Sequence, residues 1–297
     1  MYKVVGIFSI KIKLERKYKI LLGSLKYQEK CIKNLQAQVE LQNNLAIKAL
    51  LKQTEDFKNI LAENIEALDK KIVNQGQEFK KVVSIKEKLN YSQVESFFWL
   101  TKKLKIHNSL PPLRNWAMSP DVLLKLHEYI IFSKPKVIME FGSGVSTIVI
   151  CDALRQNNSG RLISIEHIEQ YAQITMQFIK CENLQNLADL RLSELEIYKD
   201  EHLCISESVQ WYCKETLKNI KNIDLLIVDG PPASTCKYAR YPALPVLYEN
   251  LNNQGQIWMD DAVREDESVI CKTWAQKYDL NLNFLDFEKG LAILIKK

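Results

Sequence analysis

The sequence predicts an α/β fold: a doubly wound sheet closing on an antiparallel pair, preceded by a long helical arm. Three observations carry this. From residue 134 onward, short apolar runs alternate with segments of helical period, the pattern of a mostly parallel sheet covered on both faces. Two apolar segments near the end of the sequence flank Glu288-Lys289-Gly290, a hairpin signal. Residues 12–89 contain no proline and only Gly23 and Gly76, which suits uninterrupted helix.

The arm differs from the rest in charge. Residues 1–90 hold 18 Lys+Arg against 10 Asp+Glu, a surplus of +8, while the remainder carries −3. The clearest register is Leu61, Ile65, Leu68, Ile72, Gln75, Phe79, Val82, Lys86 and Leu89, in alternating steps of four and three. Ile32, Leu35 and Val39 follow the same spacing upstream. Such a seam can supercoil with a partner, although Gln75, Gly76 and Lys86 weaken it. A coiled-coil or helical-hairpin arm over residues 1–106, joining copies into a homo-oligomer, is expected. Its lysines read as a solvated face. The aromatics among them, Tyr18, Tyr27, Phe57 and Phe79, are too sparse for a base-stacking platform, so no nucleic-acid partner is expected.

The second domain, residues 107–297, opens where the composition changes. Pro111-Pro112 stops helix and forces extended chain. Ser119 offers an N-cap with Pro120 at the first helical position, and a helix follows to Ser133. Trp116 at this junction either packs the linker or helps cover a ligand. Strands are then expected at 137–141, 161–165, 190–197, 223–228 and 256–259. Helices are expected at 146–154, 168–180, 242–251 and 267–278, and the hairpin strands at 280–287 and 291–297. In such sheets ligands sit beyond the carboxyl ends of the strands, at the switch point.

Several classes are excluded. No apolar run approaches the ~20 residues that span a bilayer. The run at residues 4–10 lacks the charged flank and cleavage site of a secretory signal. The seven cysteines are scattered, without a Cys-x-x-Cys pair or zinc spacing, which fits free thiols in a reducing cytoplasm.

The first strand ends in Glu140-Phe141-Gly142-Ser143-Gly144-Val145-Ser146-Thr147. Gly142 and Gly144 let the backbone turn sharply and approach a ligand, and the next helix aims its N-terminal amides at it. A dinucleotide fingerprint needs a third glycine where Thr147 stands. Glu140, two residues before the first glycine, suits a cationic ligand better than a pyrophosphate. Glu166 closes the second strand, where an acid accepts hydrogen bonds from ribose hydroxyls.

These residues resemble the nucleotide-binding motifs of class I S-adenosylmethionine-dependent methyltransferases. The resemblance covers roughly residues 110–297 and implies a Rossmann-like, seven-stranded sheet. It assigns the cofactor to Glu140, Gly142, Ser143, Gly144, Ser146, Thr147, Glu166 and Asp229. Adenine contacts near the end of the third strand would fall around residues 193–196.

The fourth strand ends in Val228-Asp229-Gly230-Pro231-Pro232 and the fifth in Trp258-Met259-Asp260-Asp261-Ala262. Neighbouring strand ends bring three carboxylates together, which requires protonation, pairing or a bound cation. The arrangement is similar to that of metal-dependent O-methyltransferases of the catechol and caffeoyl-coenzyme-A types. That likeness implies Mg²⁺ or another divalent cation on Asp229, Asp260 and Asp261. Asp261 stands where that family has Asn, and Pro232 where it has a catalytic Lys. Without metal, Asp229 or Asp260 serves as general base. Leu110-Pro111-Pro112-Leu113, Arg240-Tyr241-Pro242-Ala243-Leu244-Pro245 and residues 260–267 further resemble a bacterial methyltransferase subfamily associated with surface-polysaccharide or secondary-metabolite pathways. Arg240 and Arg264 then grip an anionic acceptor, or else pair with Glu249, Glu265 or Glu267.

The expected activity is methylation, at oxygen, of a small-molecule or sugar-precursor acceptor. The alternatives are a coiled-coil scaffold with a non-catalytic nucleotide-binding domain, and a nucleotide-dependent oxidoreductase, which Thr147 disfavours.

Overall fold

The computed structural model describes residues 14–29, 44–199 and 209–297. The chain divides into two compact units, Met1–Val83 and Ser84–Lys297. In the first, residues 14–29 form helix α1, and Lys58 of the long helix α2 (Asn44–Lys103) pairs with Glu29 of α1. The helix passes through Gly76 unbroken. Along the expected seam Leu61, Ile65, Ile72 and Phe79 are half-buried, whereas Leu68, Val82 and Leu89 are exposed. Ile32, Leu35, Val39 and the run at residues 4–10 lie outside the described residues. No described helix is long and apolar enough to cross a membrane.

The second unit takes in the last turns of α2; Leu100 of the helix and Leu104 just after it join its core. It continues through α3 (Pro120–Ser133), β1 (Val137–Phe141), α4 (Val145–Asn157), β2 (Arg161–Glu166), α5 (Glu169–Cys181) and β3 (Ala188–Leu192). After these come β4 (Leu195–Tyr198), β5 (Val209–Tyr212), β6 (Ile223–Val228), α6 (Ala243–Leu247), β7 (Leu251–Asp260), α7 (Glu265–Lys277), β8 (Asn281–Leu285) and β9 (Leu291–Ile295).

The main sheet has seven strands in the order β3-β2-β1-β6-β7-β9-β8. Its first five strands are parallel, and β9 and β8 complete it in antiparallel pairing. This is a Rossmann-like, doubly wound order closed by an antiparallel pair, as the sequence predicts. The order reverses between β1 and β6, so a crevice opens beyond their carboxyl ends.

Strand parity explains why both faces are covered. Met139, Phe141, Leu226 and Val228 enter one hydrophobic cluster with Ile270 and Trp274 of α7. Ile138, Leu225 and Ile227 enter the other, with Leu123 and Leu126 of α3 and Val149 of α4. Successive strand residues thus point to opposite cores. The expected third strand is in fact two elements. Residues 188–192 join the main sheet, and Leu195–Tyr198 instead pairs antiparallel with β5, which has no counterpart in the sequence reading. The expected helix at 242–251 shortens to α6 and a 3-10 turn at Tyr248–Asn250.

Candidate active site

The glycine turn after β1 is built against the end of β6. Gly142 adopts φ +90°, and a Cβ there would meet the Asp229 carbonyl oxygen at 3.0 Å. Only glycine permits both the dihedral and this approach. Gly144 differs: its φ of 166° is ordinary extended backbone, and a Cβ would meet nothing within 4 Å. The room beside it belongs to a cavity of about 840 Å³, lined by Gly142, Ser143, Gly144, Ser146, Glu166 and Asp229 among others.

Glu166 is held in place by four donors. The Ser143 amide donates to its Oε2 at 2.9 Å, and the Ser143 hydroxyl at 3.3 Å. The His167 and Ile168 amides donate to Oε1 at 2.8 and 2.9 Å. Burial alone would raise its pKa, but the His167 side chain and these amides outweigh it and keep Glu166 below the ordinary value. An ionised acceptor therefore stands fixed at the cavity wall, fit to receive a ribose diol.

Glu140 and Thr147 do not line this cavity. Parity turns Glu140 to the α4 face, fully buried behind the glycine turn. The Thr147 and Ser164 hydroxyls each donate to its Oε2 at 2.7 Å, and the Gly144 amide donates to Thr147 Oγ1 at 2.9 Å. Thr147, in the position of a third glycine, thus ties the turn to the carboxyl beneath it. Burial pushes the Glu140 pKa up to about 7. Among the residues proposed for adenine, Ser193 accepts from the Cys213 amide at 3.0 Å and from the Thr216 hydroxyl at 2.9 Å, within the β4–β5 corner.

Arg240 is fully desolvated at the opposite side, and its donors are spent on the protein. It donates to the Asp260 carbonyl at 2.9 Å, the Asp261 carboxylate at 3.0 Å, and the Asp229 carboxylate at 3.3 Å. Burial would lower its pKa, but Asp229 and Asp261 overcome this and raise it. Arg264 donates to the same Asp261 oxygen at 2.8 Å and stays 44% exposed at the cavity rim.

The three strand-end carboxylates do converge: one oxygen from each of Asp229, Asp260 and Asp261 lies within 4.8 Å of the others. Asp229 and Asp261 line the cavity, whereas Asp260 sits behind them with both oxygens buried and unpartnered. Burial, reinforced by Asp261, pushes Asp260 to about 6. Burial and Asp260 push Asp229 well above its ordinary value. This cluster can hold a proton between its members, and it offers the hard oxygen donors that Mg²⁺ or Mn²⁺ prefers.

Two further wall groups stand out. Tyr212 on β5 is fully buried, its hydroxyl has no partner among the described residues, and it lines the cavity. Its position depends on the β4–β5 pairing, which no motif announced. Trp116 is 60% exposed and meets Tyr171 edge-on, 5.6 Å between centroids, both on the cavity wall. The junction tryptophan is thus part of the cavity wall. An orphaned hydroxyl, an open space beside Gly144 and an anchored Glu166 together fit a nucleoside-bearing cation.

Residues 139–262 match a family model described as a methyltransferase domain. The chain is also similar in structure to an O-methyltransferase from Bacillus cereus in complex with S-adenosylhomocysteine, at 16% identity and TM-score 0.47, covering 62% of this chain and 84% of that one. A methyltransferase from Podospora anserina, also bound to S-adenosylhomocysteine, gives 15% identity and TM-score 0.47 over 69% and 87%. The O-methyltransferase TomG from Streptomyces achromogenes, involved in tomaymycin synthesis, gives 15% and 0.48 over 71% and 98%. No curated protein sequence matches significantly. The matched segment runs from β1 through the acidic end of β7 and so takes in the glycine turn, Glu166 and the three strand-end carboxylates.

Proposed function

We propose that this enzyme methylates a hydroxyl oxygen of a small-molecule acceptor, a sugar precursor or related metabolite, with Asp229 receiving the hydroxyl proton. The observation that carries this is the placement of Asp229. It faces the cavity with Arg240 at 3.3 Å as its side-chain partner among the described residues, whereas Asp261 is engaged by both arginines and Asp260 is withdrawn. S-adenosylmethionine, when bound, would supply the methyl group on its sulfonium. The glycine turn and Glu166 hold the nucleoside, with Ser143 and Ser146 beside it. Glu140 and Thr147 act from behind by fixing the turn. Asp229 orients the acceptor and takes its proton, and its raised pKa makes it a stronger base than an ordinary carboxylate. Arg264 at the rim and Arg240 beneath it both engage Asp261 and set the charge of the cluster.

A second reading places a divalent cation on Asp229, Asp260 and Asp261. The two unpartnered oxygens of Asp260 favour it, since buried carboxylate oxygens otherwise find donors. Such an ion would lower the pKa of the acceptor hydroxyl. Chelation separates the two: full turnover in EDTA leaves Asp229 as the base, and loss restored by Mg²⁺ establishes the metal.

The free thiols of Cys151, Cys181, Cys213 and Cys271 support a cytoplasmic setting, and the exposed positions of the α2 seam support a homo-oligomer through the arm. The test of function is label transfer. Native chain with methyl-labelled S-adenosylmethionine and a metabolite extract should yield a labelled product by mass spectrometry, and Glu166→Ala should not. A native chain that binds the cofactor but labels nothing would leave a scaffold role.

A further inference from the structure

We propose a second ligand pocket in this chain, which receives the apolar body of an amphipathic, anionic acceptor. The inference rests on reading the cavity at Asp229 as the methyl-transfer site. A cavity of about 740 Å³ opens between the last turns of α2 and the chain that follows it. Its wall is mostly apolar: Val94 and Phe97 from the helix, Leu104 and Leu113 from the connection. Val94 and Phe97 are exposed, so this surface is not consumed by the core. Pro111, Pro112 and Arg114 line both this cavity and the one holding Gly144, Glu166 and Asp229. A molecule whose hydroxyl lies at Asp229 can therefore continue over the two prolines into the groove.

Charge indicates what crosses there. Arg114 is exposed at the shared wall and has no ion pair among the described residues. Arg240 and Arg264, by contrast, are engaged by carboxylates. Glu288 is the one acid lining the groove, so the groove itself does not gather anions and the cation stands at its inner end. The order along the path is a hydroxyl at Asp229, a phosphate or carboxylate at Arg114, and an apolar chain or ring along Val94 and Phe97. Apolar area removed from water there supplies affinity, and the guanidinium supplies register.

Calorimetry on the full chain tests this with geranyl phosphate, geraniol and inorganic phosphate as probes. Geranyl phosphate should bind at least about tenfold more tightly than either of the others. Arg114→Gln should erase its advantage over geraniol. Phe97→Asp, at an exposed position, should weaken geranyl phosphate about tenfold and leave inorganic phosphate unchanged. Geranyl phosphate binding no better than inorganic phosphate, or binding indifferent to both substitutions, overturns the proposal. S-adenosylmethionine is titrated in parallel into the native chain and Phe97→Asp. Loss of that signal in the native chain defeats the methyltransferase reading, whereas retained cofactor binding with no geranyl phosphate binding defeats only the groove.

Discussion

Arg240 donates to the Asp261 carboxylate at 3.0 Å with both side chains buried, and the same nitrogen reaches Asp229 at 3.3 Å. A guanidinium thus sits among the strand-end acids as their permanent counter-charge. Removing one partner of a buried pair leaves the other uncompensated, which costs about 3–5 kcal/mol. Arg240→Met is expected to lose that much in urea unfolding. Arg240→Lys, which keeps the charge but not the fork, should lose less. An unfolding midpoint for Arg240→Met equal to that of the native chain would show that the cluster is held by other means.

Asp229→Asn should lower kcat by about 10²–10⁴-fold while cofactor affinity changes little. The native rate depends on the ionised form of a carboxyl whose pKa burial and Asp260 raise well above the usual value. Turnover should therefore fall as pH drops through that raised pKa, and the acidic limb should be absent in Asp229→Asn. A limb that persists unchanged in the variant belongs to another group.

Much of this was readable in the residues. Short apolar runs announced β1, β2 and β6, and the glycine turn and Glu166 announced the cavity wall. Other parts depend on tertiary placement. Glu140 looks like a ligand for a cation, but the face that a strand-end side chain takes depends on register, and parity sends it under α4. Arg240 looks like a substrate clamp, but its distance from Asp261, 21 positions on, is set by the packing of the chain between β6 and β7. Tyr212 has no motif because its position comes from the pairing of β5 with β4.

Gly144→Leu separates fold from binding. The backbone there is extended and the space beside it is open, so the substitution strains nothing in the free protein. Its side chain would occupy the cavity instead. Thermal midpoint should shift by no more than a few degrees, and S-adenosylmethionine should bind at least about tenfold more weakly. Gly142→Leu, at φ +90° and against the Asp229 carbonyl, should destabilise the fold itself. Equal thermal losses in the two variants would contradict this division.

The arm makes a mass prediction. Leu68, Val82 and Leu89 share the heptad seam of α2 and are exposed. Light scattering should give a multiple of 34.5 kDa for the native chain. A Leu68→Asp, Val82→Asp double variant should give a smaller mass. A native chain that elutes as a 34.5 kDa monomer would remove the oligomer.

Glu140 gives the clearest pH dependence of stability. Its folded-state pKa is pushed by burial from 4.5 to about 7, so between these values the folded protein holds a proton that the unfolded chain has released. Stability from this group is complete below pH 4.5 and declines as pH rises through about 7. The displacement corresponds to about 3 kcal/mol in the cofactor-free protein. Glu140→Gln removes the titration and retains an acceptor oxygen for Thr147 and Ser164. The stability of the variant relative to the native chain should therefore improve by up to that amount between pH 4 and pH 9, read from urea midpoints. A difference that stays constant across this range would mean that Glu140 is ionised throughout, with a donor on its second oxygen.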